Sequence, residues 1–126
     1  MNNERRKAIN ANLKDLRAES EALVKLRDEG LEAVKERIES IKGFLEEIKS
    51  EEQDYLDNMP ESFQQGDRGQ KAEEAVNRLD DVDVGIDEMI GSLDEAIDSI
   101  AHAVEKVDEA ADKIDDVETD ANAASE

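Results

Sequence analysis

Adjacent pairs of carboxylates recur every seven residues through the second half of this chain. Six of seven successive heptads carry such a pair, and the remaining heptad has Ala101 and His102 instead. Residues seven apart lie on one side of an α-helix, so the pairs predict an acidic face that attracts cations or basic proteins. The predicted face consists of Glu73, Glu74, Asp80, Asp81, Asp87, Glu88, Asp94, Glu95, Asp98, Glu105, Asp108, Glu109, Asp112, Asp115 and Asp116.

Specific metal binding and catalysis fit this pattern poorly. The segment 80–88 resembles a calcium-binding loop, but hydrophobic residues occupy positions that require oxygen ligands or glycine. His102 has no second histidine or cysteine with which to build a transition-metal site. The chain has no cysteine, and carboxylates on a solvated helix lack the shifted pKa values of catalytic acids and bases. We therefore expect no enzyme activity, no metal and no cofactor.

The negative charge belongs to the second half of the chain. Residues 1–50 hold 11 acids and 11 bases, whereas residues 51–126 hold 25 acids and 5 bases, which accounts for the net charge of −20. Residues 79–118, with 15 acids and 2 bases, carry a net negative charge about every 4.6 Å of helix, against about 1.7 Å for duplex DNA. Such a surface repels nucleic acid and anionic membranes, so we expect neither to bind directly.

The acidic face requires a long helix, which the hydrophobic residues of the second half predict. Counting Ala72 as heptad position a, positions a, d and e are mostly apolar to residue 121, which is typical of a helix in a bundle. We predict a second helix over about 68–121, with soft points at Gly85 and Gly91 and a frayed tail at 122–126.

The first half predicts a helix of nearly equal length, over about 3–57. Its apolar positions alternate at steps of three and four, with one step of four and four at Leu16, Ser20 and Val24 that indicates a local change of supercoil. Gly30 and Gly43 are its predicted soft points. Turn formers cluster only in the loop 58–67, so we expect one all-α domain, a long antiparallel coiled-coil hairpin.

Two helices cannot cover three apolar positions per heptad, so the hairpin is expected to self-associate. The simplest product is a homodimer of two hairpins that forms a four-helix bundle. The residues predicted to mediate self-association are Leu79, Ile86, Ile90, Leu93, Ile97, Ile100, Val104, Val107 and Ile114.

The loop and the start of the second helix resemble a group of small uncharacterised proteins encoded by phages and prophages. The resemblance covers Asp57-Asn-Met-Pro-Glu61, Gln64 or Gln65, Gly69, Ala72-Glu-Glu-Ala75 and Leu79. It implies a phage-encoded pair of acidic helices and contributes no functional residues. A phage origin favours inhibition of a host protein in the host cytoplasm. The lack of cysteine, of a signal peptide and of a membrane span also favours a cytoplasmic protein.

Two functions remain open from the sequence. The first is a non-catalytic acidic interaction protein that blocks a host nucleic-acid-binding protein by imitating DNA. The second is a structural coiled coil, an assembly or spacer component whose acidic face only keeps it soluble. A solubilising face usually mixes charges of both signs, as the first helix does, and this difference favours DNA mimicry.

Overall fold

The computed structural model describes residues 3–125, with the side chains of 3–120. Every regular element in this range is a helix, which confirms the predicted all-α class. The helices are α1 (Asn3–Lys25), α2 (Glu32–Asp57), α3 (Glu61–Gln64) and α4 (Asp67–Ser125), and a π-helical segment (Leu26–Leu31) joins α1 to α2. The backbone of α4 is helical through Ser125, four residues beyond the predicted end of the second helix, and Glu126 lies outside the described residues.

The chain forms two compact units, each of which pairs part of the first half with part of α4. Unit 1 comprises Met1–Glu32 and Glu95–Glu126, and unit 2 comprises Ala33–Asp94. In each unit the two segments run antiparallel, because residues that rise in number along one segment meet residues that fall along the other. Arg17 and Ser20 meet Asp112 and Asp108 in unit 1.

The hydrophobic seam of α4 occupies heptad positions a and e. In unit 2 the buried side chains are Ala72 and Ile86 at position a and Val76 at position e. Position d, which the sequence placed on the same apolar face, is instead exposed at Val82 and Met89. The difference is physical: a helix paired with one neighbour buries a stripe narrower than three positions per heptad.

The partner helix α2 shows the same displacement of its predicted face. Ile41 and Ile48 belong to the apolar positions that recur at steps of three and four residues, yet both are half exposed. Lys42 and Lys49, each one residue further along, are less exposed, and so are the apolar residues Ile38 and Leu45. Long lysine stems can cover apolar surface while the ammonium group stays in water, so lysines can lie at the edge of the seam.

The π-helical segment begins two residues after Val24, where the step of four and four in the first half of the chain ends. Its wider turn is visible in the hydrogen bond from the Glu32 N–H to the Arg27 carbonyl, five residues back. A wider turn rotates the inward side of the helix that follows it, here α2. Gly30, a predicted soft point, lies inside the segment, whereas Gly43 lies within the unbroken helix α2.

The turn between α2 and α4 is held by one side chain and one glycine. The Gln64 amide donates to the carbonyls of Leu56 and Met59, each at 3.1 Å, and so satisfies groups left open at the end of α2. Gly69 is buried, and a Cβ there would lie 2.0 Å from the Gln64 carbonyl oxygen. The helix α4 begins at Asp67, with the Gln70 N–H bonded to the Gly66 carbonyl at 3.0 Å. Gly66 therefore occupies the N-terminal capping position of α4.

Candidate protein-binding acidic face

Three lysines of α2 pair with three aspartates of α4 in unit 2. Lys35 contacts Asp94 and Lys42 contacts Asp87, each with a nitrogen to oxygen distance of 2.6 Å. Lys49 contacts Asp80 in the same way. Each partner is seven residues from the next on its own helix, so the pairs form a regular ladder along one edge of the unit. We call these six residues the lysine–aspartate ladder.

Two of the ladder lysines have further carboxylates nearby. Lys42 also lies 3.7 Å from Glu46, one turn along its own helix. The hydrogen bond to Asp87 raises the pKa of Lys42, and the negative charges of Asp83 and Glu46 add to the shift. The hydrogen bond to Asp80 raises the pKa of Lys49 in the same manner. Both lysines are thus held in their charged form by the acids around them.

The raised lysine pKa values predict a loss of stability at high pH. A group whose pKa is higher in the folded state contributes stability below its unfolded value, here 10.5, and loses it as the pH rises through the folded value. We expect the urea midpoint to fall between about pH 10 and pH 12. The double variant Lys42→Arg with Lys49→Arg should retain more of its midpoint, because arginine stays protonated in this range. An equal fall of the urea midpoint in both proteins would show that deprotonation of Lys42 and Lys49 is not the cause.

Position b of α4 also faces the first half of the chain in unit 1. The Ser20 hydroxyl donates a hydrogen bond of 2.6 Å to Asp108, and Ser20 is buried. Arg17 lies 3.9 Å from Asp115 and 3.8 Å from Asp112, an f-position residue. The interruption of the acid pairs falls in the same column, since Ala101 occupies position b and is half-buried. Position b therefore forms an edge of the helix pairing in each unit.

The predicted acidic face consequently divides into two parts. Asp80, Asp87, Asp94, Asp108 and Asp115 at position b, and Asp112 at position f, have partners on the first half of the chain. The other carboxylates at positions c and f are exposed on the side away from the pairing, and we call them the outward carboxylates. They are Glu74, Asp81, Glu88, Glu95, Asp98, Glu105, Glu109 and Asp116.

The outward carboxylates have few basic neighbours on α4. Lys106 lies 3.4 Å from Glu109, and His102 lies 3.9 Å from Glu105, where it carries charge only if protonated. Glu73, at position b near the start of α4, is exposed as well. Exposed carboxylates of this kind can attract a basic surface or a diffuse layer of cations.

The residues predicted to mediate self-association lie on the seam inside the units. Ile86 is buried, and Leu79, Ile90, Leu93, Ile97, Ile100, Val104, Val107 and Ile114 are half-buried. Their burial within a single chain means that the paired first-half helices already cover much of them. The sequence did not distinguish these seam residues from the exposed residues at position d, because both recur every seven residues.

Metal clusters and cavities are the other features that could carry chemistry. Among the side chains of residues 3–120, no three histidine, cysteine, aspartate or glutamate groups converge as a metal site would require. An open cavity of about 540 Å³ lies at the tip of unit 2, between the end of α2 and the start of α4. Its lining residues are Glu51, Asp54, Tyr55, Asn58, Met59, Pro60, Phe63 and Arg68. None of the helices in the described part is long and apolar enough to cross a membrane.

Comparison with known proteins adds no assignment. No protein-family model, no curated protein sequence and no solved structure matches this chain. The resemblance of the loop to phage-encoded proteins therefore stays a prediction from its residues.

Proposed function

We propose that this chain is a non-catalytic interaction protein that binds a basic protein partner through the outward carboxylates of α4. The observation that supports this function is the division of the acidic face. Position b is used to pair α4 with the first half of the chain, whereas the outward carboxylates are exposed and lie outside the seam. The fold therefore does not require the outward carboxylates.

The outward carboxylates also lower the stability of the helix that presents them. Like charges one turn apart on a helix repel each other, at a cost of about 0.2–0.5 kcal/mol per pair. Glu95 and Asp98 lie three residues apart, and Glu105 and Glu109 lie four residues apart. A solubilising surface avoids this cost by mixing charges, as the first half of the chain does with 11 acids and 11 bases in residues 1–50.

The sharper form of the proposal is DNA mimicry by a phage-encoded inhibitor in the host cytoplasm. Rows of carboxylates on a helix can replace the phosphates that a basic groove binds. The partner would be a nucleic-acid-binding protein with a lysine-rich and arginine-rich groove, and its binding would weaken steeply with salt. The chain would bind neither nucleic acid nor membrane itself.

A second candidate is a structural coiled coil that assembles with copies of itself. The exposed apolar residues of unit 2 favour this alternative, because a hairpin acting alone would leave Ile48 and Met89 in water. A dimer of hairpins forming a four-helix bundle is compatible with either function.

Competition with duplex DNA tests the acidic face. A fluorescent duplex bound to each of several purified basic DNA-binding proteins is titrated with this protein at two salt concentrations. We expect displacement from at least one of them. The variant with Asp81→Lys, Glu88→Lys and Asp98→Lys should require at least about 10-fold more protein, a loss of about 1.4 kcal/mol.

A matched control carries Glu21→Lys, Glu36→Lys and Glu47→Lys on the first half of the chain, where all three side chains are exposed. Each triple variant gains six positive charges, so −20 becomes −14 in both. The control should compete nearly as well as the unmodified protein. Equal losses of competition in the two variants would mean that the effect depends on net charge alone. A failure of the unmodified protein to displace DNA would argue against mimicry and for the structural alternative.

A further inference from the structure

Unit 2 exposes large hydrophobic side chains along one side. Their exposed fractions run from 44% for Val82 to 66% for Phe44. We call this set the apolar face, and it consists of Ile41, Phe44, Ile48 and Tyr55 on α2 with Val82 and Met89 on α4.

The lysine–aspartate ladder fixes where the apolar face lies. Ile41 and Ile48 precede ladder lysines by one residue, so they point about 100° around α2 from the ladder. Met89 follows the ladder residue Asp87 by two residues, which places it about 160° around α4. Because the two helices are antiparallel, both displacements lead to the same side of the unit. The ladder occupies one side of the pair and the apolar face occupies the opposite side.

The apolar face is larger than a monomer usually exposes. Half-exposed side chains of this size each leave roughly 100 Å² uncovered, so the six together leave about 600 Å². Monomeric proteins seldom expose contiguous apolar patches of more than a few hundred Å². A standard interface buries about 800 Å² on each partner, most of which this face could supply.

The charges around the apolar face indicate which kind of partner it can bind. In unit 2 the column of α4 next to position d holds Arg78, Gly85 and Ser92, without a carboxylate. The adjoining column of α2 holds Arg37, Phe44 and one acid, Glu51. A basic partner would find no attraction here, whereas two copies of this acidic chain could approach without opposing their outward carboxylates.

We propose that the apolar face binds the same face of a second copy of this chain across a two-fold axis. The spacing supports this occupant, because Ile41, Ile48 and Tyr55 on one helix and Val82 and Met89 on the other repeat every seven residues. A bundle seam requires that repeat on both partners, and a second copy supplies it. The proposal rests on the self-association that forms part of the proposed function, and it replaces the seam residues by the apolar face as the dimer contact.

Sedimentation equilibrium from about 1 to 100 µM tests the proposal. The unmodified protein should be a dimer over the upper part of this range. Met89→Glu should raise the dimer dissociation constant at least about 30-fold, because a charge would be buried at the interface. The matched control is Val84→Glu, which adds the same charge on the same helix at a position that is 59% exposed and outside the face. Its dissociation constant should change by less than about 3-fold.

Circular dichroism distinguishes dissociation from unfolding. Met89→Glu should retain the helical signal, and Met89→Gln, which adds no charge, should weaken the dimer less and in the same direction. An unmodified protein that is monomeric at the highest concentration would overturn both self-association and this face. A dimer that responds equally to Met89→Glu and Val84→Glu would overturn the face alone. The DNA competition described above is unaffected by either result.

Discussion

Gly69→Ala should destabilise the protein by about 2 kcal/mol or more, because overpacking a buried position displaces backbone. The added Cβ would lie 2.0 Å from the Gln64 carbonyl oxygen and 2.6 Å from the Gln64 Cα. These atoms belong to the backbone of the turn, so no side-chain rotation can relieve the clash. The first turn of α4 would have to move away from α3, which would also weaken the bonds from Gln64 to the end of α2. Urea denaturation at one fixed protein concentration measures the effect.

Two other glycines provide controls for the same substitution. A Cβ at Gly66 would meet its nearest atoms at 3.6 Å, an ordinary contact, so Gly66→Ala should change the free energy of unfolding by less than about 0.5 kcal/mol. A Cβ at Gly91 would meet nothing within 4 Å. Gly91→Ala should therefore stabilise α4 by about 0.5–1 kcal/mol, through better helix propensity. Similar losses of unfolding free energy in Gly69→Ala and Gly66→Ala would show that the short distance between Gly69 and the Gln64 backbone is not the cause.

The turn shows what sequence patterns can and cannot predict. Its position was predictable, because Pro60 and Gly66 lie in the one stretch where turn formers cluster. The requirement for glycine at Gly69 was not, because it depends on how closely α4 passes the Gln64 backbone. That distance results from the packing of three helices, and no local pattern reports it. The role of the Gln64 side chain was missed for the same reason.

The apolar seam was predictable in period, but only part of its phase was predicted correctly. The heptad repeat identified α4 as a long helix, and the all-α class followed from it. Whether position d or position e joins position a in the seam depends on the partner helix, and both positions are rich in apolar residues. On α2 the inward positions hold Lys42 and Lys49, which a hydrophobicity pattern assigns to solvent. Because a hydrophobicity pattern does not count lysine stems as apolar, it could not show which side of α2 faces α4.

The division of the acidic face did have a signal in the sequence. Lys35, Lys42 and Lys49 repeat every seven residues, as the b-position aspartates do. In an antiparallel pair, partners in register have residue numbers with a constant sum, and each of the three observed pairs sums to 129. Matching a basic heptad column on one helix with an acidic column on the other would have found the ladder. The outward carboxylates are then the acids of α4 for which this matching finds no basic column on the other helix.

Reversing the ladder lysines should lower the melting temperature on the order of 5 °C or more. The triple variant Lys35→Glu, Lys42→Glu and Lys49→Glu places a column of carboxylates against the aspartates of α4 in unit 2. The three attractions then become repulsions, and Asp83 adds to them, since its charge already acts on Lys42 and Lys49. Thermal unfolding followed by circular dichroism, at low salt and at a fixed protein concentration, measures the change.

The control reverses three exposed bases outside the ladder, with Lys7→Glu, Lys14→Glu and Lys71→Glu. In both triple variants the net charge falls by six, from −20 to −26. A difference between their melting temperatures therefore reports the position of the substitutions and not the net charge. Adding Asp80→Lys, Asp87→Lys and Asp94→Lys to the ladder variant restores −20 and exchanges the charges across the helix pair. This exchange should recover most of the lost melting temperature, because the pairs re-form with opposite polarity. Additive losses from the two sets of substitutions would mean that the six side chains do not interact, and the antiparallel register of α2 with α4 would lose its main electrostatic support.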